Sequence, residues 1–146
     1  MNKNILVSSR QGIRNVLSKV AAATIVISIH DPDLKPEFSM EETLPFVCAI
    51  LSIPFWDEIE DQYGCISEIQ AQGIAEFVVA FAPFVENIVV NCEGGISRSA
   101  GVAAAIAKFI NKDDSAFFDF RHNRYVPNMT CYKRVLEQLS GFVVKR

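Results

Sequence analysis

Three short apolar runs punctuate the chain: Ala23 to Ile29 (ATIVISI), Phe46 to Ile53 (FVCAILSI), and Asn87 to Val90 followed by Asn91. Uninterrupted runs of this length predict strands buried on both faces, as in a parallel sheet covered by helices. Between residues 66 and 81 the period changes. Ile66, Ile69, Ile74, Phe77, Val78 and Phe81 recur near the helical repeat, and Pro83 discourages continuation. A second helix is predicted over Ser99 to Ile110, where alanines alternate with Val102, Ile106 and Phe109. Its small residues would let it lie close to a sheet. Helix candidates follow at Ser115 to Arg121 and from about Met129 to Phe142. Pro127 and Asn128 lead into the last one, which carries a stripe of Val135, Leu136, Leu139 and Phe142. The polar stretch 31–45 holds Pro36 and Pro45 and reads as a loop with one helical turn at most; the segment before residue 23 is ambiguous. Helical and buried-strand patterns alternate, which predicts an α/β domain.

With 146 residues the chain fits one domain, 1–146, and can bury roughly 70% of its unfolded surface without metals or disulfides. Lys and Arg number 14 against 17 Asp and Glu, a net charge of -3. That balance gives no reason to expect a nucleic acid or an anionic membrane as partner. Charges interrupt the first residues, where a secretory signal needs an unbroken apolar core, and no apolar run reaches the length of a membrane span. Cysteines stand at 48, 65, 92 and 131 without close CxxC pairing, and the histidines are His30 and His122 alone, so zinc has little support. The expectation is a cytoplasmic protein with reduced thiols and no metal.

Chemistry concentrates after the third strand, in Val89-Val90-Asn91-Cys92-Glu93-Gly94-Gly95-Ile96-Ser97-Arg98-Ser99-Ala100-Gly101. A strand ends, a glycine-containing loop follows, and a helix begins, so loop amides and the helix dipole converge on one anion site. Gly94 and Gly95 permit backbone conformations and close approaches that side chains obstruct. An anion nest alone needs no thiol. At its rim, Cys92 would be stabilised as the nucleophilic thiolate by amides and by Arg98. Arg98 offers a planar fork to two phosphate oxygens. Ser97 is a hydrogen-bonding group within the loop, and Ser99 is placed to donate to the cysteine sulfur as an intermediate breaks down. Residues 93–98 are thus the expected phosphate-binding loop, and the set suits nucleophilic catalysis at phosphorus. The loop contains no lysine and does not match the GxxxxGK[ST] nucleotide pattern.

This segment resembles the signature of the cysteine-based tyrosine and dual-specificity phosphatases: Cys, five residues, Arg, then Ser or Thr. Cys92, Gly95, Arg98 and Ser99 carry the match. The resemblance covers about residues 46–142, closest to small dual-specificity-like members, and includes Pro127, Asn128, Gln138 and Leu139 near the end. It implies a central, mostly parallel sheet flanked by helices, no metal or organic cofactor, and attack on phosphorus by Cys92. It also implies that an upstream aspartate acts as acid and then base. Asp57, directly after the apolar run and its Pro54-Phe55-Trp56 extension, is preferred for that role; Asp61 is the alternative. The expected substrate is a phosphorylated protein or a small phosphomonoester, with phosphotyrosine favoured and dual specificity left open.

One position departs from the family pattern. Asn91 precedes the nucleophile where the family places histidine, which keeps a second reading alive: a non-catalytic phosphate-binding or interaction module on the same fold. Sulfurtransferases also present cysteine on an anion loop, but lack this Arg-Ser ending with an acid upstream. Low-molecular-weight phosphatases place the motif near the N-terminus. Cys48, Cys65 and Cys131 read as structural or incidental thiols. Arg121, His122, Arg124, Lys133 and Arg134 either attract phosphate or form a solvated face, Phe55 and Trp56 either pack in the core or flank a substrate, and Glu93 is expected to face water.

Overall fold

In the computed structural model, which describes residues 2–39 and 41–142, four parallel strands form one sheet in the order β1-β4-β2-β3. The strands are β1 (Asn4–Ser9), β2 (Thr24–His30), β3 (Val47–Pro54) and β4 (Asn87–Cys92). β2 and β4 lie inside the sheet, and every residue of both is buried. Their unbroken apolar sequences reflect burial on both faces. The third predicted strand therefore continues past Val90 through Asn91 and Cys92.

Helix α1 (Ile13–Lys19) and the loop carrying Phe38 and Leu44 cover one face, where Ile13, Leu17, Val26, Phe38 and Val89 form a small core. The larger core lies under α2 (Glu68–Phe81), α3 (Arg98–Asn111) and α4 (Met129–Ser140) on the other face. Residues 98–107 of α3 are all buried, because alanine and Gly101 let α4 approach its backbone.

Local chemistry sets the boundaries. Ser67 and Gln70 form a reciprocal capping box, so α2 starts at Glu68 although its apolar pattern begins at Ile66. Asn128 caps α4 by accepting from the amides of Thr130 and Cys131, both at 3.0 Å. The helix expected over Ser115–Arg121 is instead a short 3-10 turn, Ser115–Phe118. There Asn123 Nδ2 donates to the Ala116 carbonyl, and Phe117 stacks on Tyr125 with centroids 5.8 Å apart, so tertiary contacts replace the helical ladder. α4 ends at Ser140 rather than Phe142; the amide of Gly141 already turns back to Gln138 O. The ambiguous N-terminal segment forms β1 and α1. Among the described residues, none of 31–45 is helical.

Candidate active site

Cys92 closes β4 at the carboxyl end of the sheet, and Arg98 opens α3 six residues later. The intervening loop is suspended from three other segments. The amide of Arg10, just past β1, donates to Glu93 O at 3.2 Å. Ile96 O accepts from the Val126 amide at 3.0 Å, and Ser97 O accepts from Gly101 at 2.9 Å and Asn128 at 3.0 Å. Gly95 has φ +67°, and a Cβ there would lie 2.6 Å from Ser9 N and 2.7 Å from the carbonyl carbon of Ser8. Both the left-handed backbone and the close approach of β1 require glycine. Gly94 requires neither; its virtual Cβ meets only the Ile96 side chain at 3.9 Å. β1 thus forms part of the cradle, a contribution that the ambiguous N-terminal sequence did not announce.

Cys92 is 2% exposed, with Sγ 3.1 Å from Ser99 Oγ. Ser99 is itself buried, so that hydroxyl is fixed beside the sulfur. Ser97 does not bond within the loop as its position suggested. Its hydroxyl donates to Asp57 Oδ1 at 2.8 Å. Asn128 Nδ2 donates to the same oxygen at 2.9 Å and to Glu58 O at 3.0 Å. Asp57 is therefore tied to the loop and to the start of α4, while Oδ2 has no protein partner among the described residues. Asp61 is not brought to this cluster. It is exposed, sits in left-handed backbone with φ 69°, and makes no hydrogen bond to residues 92–99.

Arg98 is buried at 5% exposure and donates through Nη1 to Phe55 O at 2.7 Å. The same nitrogen stands 2.7 Å from Asp31 Oδ1. Asp31 escaped the sequence reading. Its signal was there to find: the first carboxylate after a fully apolar strand, at the strand end where ligands bind in parallel sheets. Glu93 does not simply face water, since Arg10 Nη1 pairs with its carboxylate at 3.2 Å. Phe55 belongs to the core at 2% exposure, whereas half-buried Trp56 packs against Gly64.

Among the basic candidates, Arg134 donates to Ile66 O and stands 3.9 Å from Glu60, which makes it a tie between α4 and the start of α2. Arg121 and His122 pair with Asp119 on the surface. Arg124 and Lys133 remain without a carboxylate partner among the described residues. Cys131 is fully buried against Gly101, and burial, reinforced by the Asp57 carboxylate, pushes its thiol far up. It is an inert core thiol, in contrast to Cys48, which is exposed. Among the described residues no group of three or more His, Cys, Asp or Glu side chains could hold a metal ion, and no helix is long and apolar enough to cross a membrane.

No family model matches the sequence, and no curated protein does. Solved structures do match. The human tyrosine phosphatase-like serine/threonine/tyrosine-interacting protein superimposes with a TM-score of 0.64 at 17% identity, covering 97% of this chain and 94% of that one. Human DUSP28 gives 0.59 at 15% identity, covering 94% and 92%. The fold is that of the cysteine-based phosphatases. OH1 from the Orf virus, described as a tyrosine phosphatase, shares it with a TM-score of 0.55 at 15% identity, covering 99% of this chain and 85% of its own. At such identities the likeness concerns the path of the backbone. Within this cysteine-phosphatase fold, the α/β architecture and parallel sheet expected from the sequence are present, and the Cys92 loop occupies the junction of β4 and α3.

Proposed function

We propose that this chain hydrolyses phosphate monoesters through a cysteinyl-phosphate on Cys92, with protein phosphotyrosine the favoured substrate and other phosphorylated side chains accessible. The observation that carries the reading is the convergence of Cys92 Sγ, Ser99 Oγ and the Asp57 carboxylate on one loop at a helix N-terminus. In the first step the Cys92 thiolate attacks phosphorus and the ester oxygen departs with a proton from Asp57. Oδ2, the oxygen without a protein donor, is the natural proton carrier. In the second step the Asp57 carboxylate takes a proton from water, which attacks the phosphocysteine. The sulfur leaves with support from the Ser99 hydroxyl. Loop amides of 93–98 and Arg98 hold the three phosphoryl oxygens throughout. The nucleophile works only as a free thiol, which suits a reducing compartment such as the cytoplasm.

A second reading has one specific feature in its favour. Asn91 is buried with Oδ1 unpartnered among the described residues, at the position where the resembled family carries histidine. One structural neighbour is described as phosphatase-like and as an interacting protein. A phosphate-binding module that does not turn over would fit both. Hydrolysis of a panel containing aryl phosphate, phosphotyrosine and phosphoserine peptides, a phosphoinositide and a nucleotide separates the readings. Activity that persists in EDTA and disappears in Cys92→Ser is the expected result. Activity no higher than that control across the panel overturns the enzyme and leaves the binding module.

A further inference from the structure

Glu93 follows the nucleophile directly, and among the described residues its carboxylate meets one cation, Arg10. Every nitrogen of that guanidinium has an acceptor. Nε stands 3.0 Å from Glu37 Oε2, Nη1 donates to Glu93 Oε1 at 3.2 Å, and Nη2 donates to Lys35 O at 2.8 Å. Acceptors on all three nitrogens fix the plane of the fork. The Arg10 amide adds a fourth contact, to Glu93 O at 3.2 Å, so the Glu93 carboxylate is held where β1 ends. Carboxylates outnumber cations here. Glu37, Glu42 and Glu93 share Arg10 and Arg14, and Arg14 pairs with both Glu37 and Glu42. Without Arg10, those two would keep a cation and Glu93 would keep none among the described residues. The loss of Arg10 thus falls on the carboxylate next to Cys92.

We propose that Arg10 is a positioning residue of the nucleophile loop that acts through Glu93, cancelling its charge and holding it against the end of β1 so that the loop admits an anion. This rests on the reading of residues 93–98 as a phosphate site, and it gives a part in that site to a residue outside the loop. The rival role is a plain structural tie. The two differ in sign at Glu93. Where charge decides, removing Glu93 tightens anion binding and repairs the loss of Arg10. In a plain tie, either removal loosens the loop, and removing both repairs nothing.

The test titrates inorganic phosphate calorimetrically into Cys92→Ser protein and into the same protein carrying Arg10→Gln, Glu93→Gln or both. Arg10→Gln should weaken binding about three- to tenfold, the scale of one partly screened charge. Most of that loss should vanish in about 1 M salt, where the Debye length is about 3 Å. Glu93→Gln should tighten binding, and the double variant should return to within about twofold of its parent. A second readout needs neither turnover nor phosphate. Iodoacetate is an anion and iodoacetamide is neutral, so the ratio of their alkylation rates at Cys92, followed on its peptide by mass spectrometry, reports the local charge. Arg10→Gln should lower that ratio about three- to tenfold, and adding Glu93→Gln should restore it. Losses in both single variants with no recovery in the double overturn the proposal, as does a ratio that Arg10→Gln leaves unchanged. If Arg10→Gln does not fold, Glu93→Gln decides alone, and unchanged or weaker phosphate binding from it overturns the proposal. If the Cys92→Ser parent binds no phosphate, the phosphate reading of the loop falls and the alkylation ratio decides. An unchanged ratio then removes Arg10 from the role.

Discussion

Gly101→Ala would reach the active site from the helix pair beneath it. The added Cβ would lie 2.4 Å from Asn128 O, 3.1 Å from Cys131 Cβ and 3.2 Å from Asn128 N. The first contact is with backbone and falls about 1 Å short of ordinary van der Waals separation, so α3 and α4 must part. Overpacking of this kind costs roughly 1–3 kcal/mol. A clash with backbone this close belongs at the upper end, about 3 kcal/mol, and alanine's helix propensity returns about 1 kcal/mol, so the net destabilisation should be about 2 kcal/mol. For a chain of this length that corresponds to a fall in Tm of roughly 4–8 °C. The functional consequence follows from what Asn128 holds. Its amide donates to Ser97 O, and its side chain donates to Asp57 Oδ1 at 2.9 Å. A displaced Asn128 should therefore misplace the carboxyl group more than the thiol. Phenyl phosphate, whose leaving group needs a proton, should lose up to ~10²-fold in kcat, and p-nitrophenyl phosphate much less. Thermal melts and kcat for the two esters provide the assay. An unchanged Tm would refute the packing argument. Equal losses on both esters would refute the route through Asp57.

Asp57→Asn should retain its fold and phosphate affinity while losing roughly 10²–10⁴-fold in hydrolysis of phenyl phosphate and the basic limb of the pH-rate profile. Loss of that limb in Asp61→Asn, with Asp57→Asn unaffected, would move the acid to Asp61. Burial raises the Cys131 thiol above its unfolded value, so its contribution is fully present below the unfolded pKa of about 8.5 and is lost as the pH rises above that value. Tm should fall more steeply above about pH 9 in the wild type than in Cys131→Ala, and parallel slopes would contradict this. Finally, kcat/KM for an aryl phosphate should fall by less than about tenfold between low and physiological salt, less than a steered encounter loses. A steep dependence that disappears in Arg124→Ala would assign steering to that unpaired cation.

The sequence announced those parts of the molecule whose cause is local. β2 and β4 are apolar throughout because both faces are covered, and α3 is rich in alanine because it lies against both sheet and helix. The loop between β4 and α3 was legible because an apolar strand, two glycines and a run of small helix-forming residues follow one another there. β1 was not, since an edge strand with alternating exposure carries half the apolar signal of an inner one. The 3-10 turn at Ser115–Phe118 was misread because its apolar residues answer to Tyr125 and Tyr132 across the fold, not to a helical period. Asp31 and Asn128 were missed as partners of Arg98 and Asp57 for the same reason. Each lies tens of residues along the chain from the group it meets, and the strand-end position that marked Asp31 as a site candidate did not name Arg98 as its partner.

The distribution of charge explains how an acidic chain can offer an anion site. Arg10 is shared between Glu37 at 3.0 Å and Glu93 at 3.2 Å, Arg14 pairs with Glu37 and Glu42, and Arg98 pairs with Asp31 at 2.7 Å. The arginines of the β1–α1 side and of the loop itself are thus matched by carboxylates, so little positive field extends into solvent. What remains is short-ranged. The carbonyls of Glu93, Ile96 and Ser97 are taken up by neighbouring amides, the dipole of the 14-residue α3 ends at the loop, and among the described residues one edge of Arg98 is without a protein partner. The same pairing changes the meaning of Glu93. As a lone carboxylate beside the nucleophile it would repel a phosphate dianion; bound to Arg10 it ties the loop to the end of β1, reinforcing the Arg10 amide bond to its own carbonyl. On the proposed function, recognition on this pattern depends on a phosphoryl group entering the loop far enough to exchange water for amides, which favours a group projecting on a side chain over one embedded in a polyanion. On that proposed function, the pairing of these arginines leaves phosphate recognition to the loop and keeps long-range attraction for a polyanion weak.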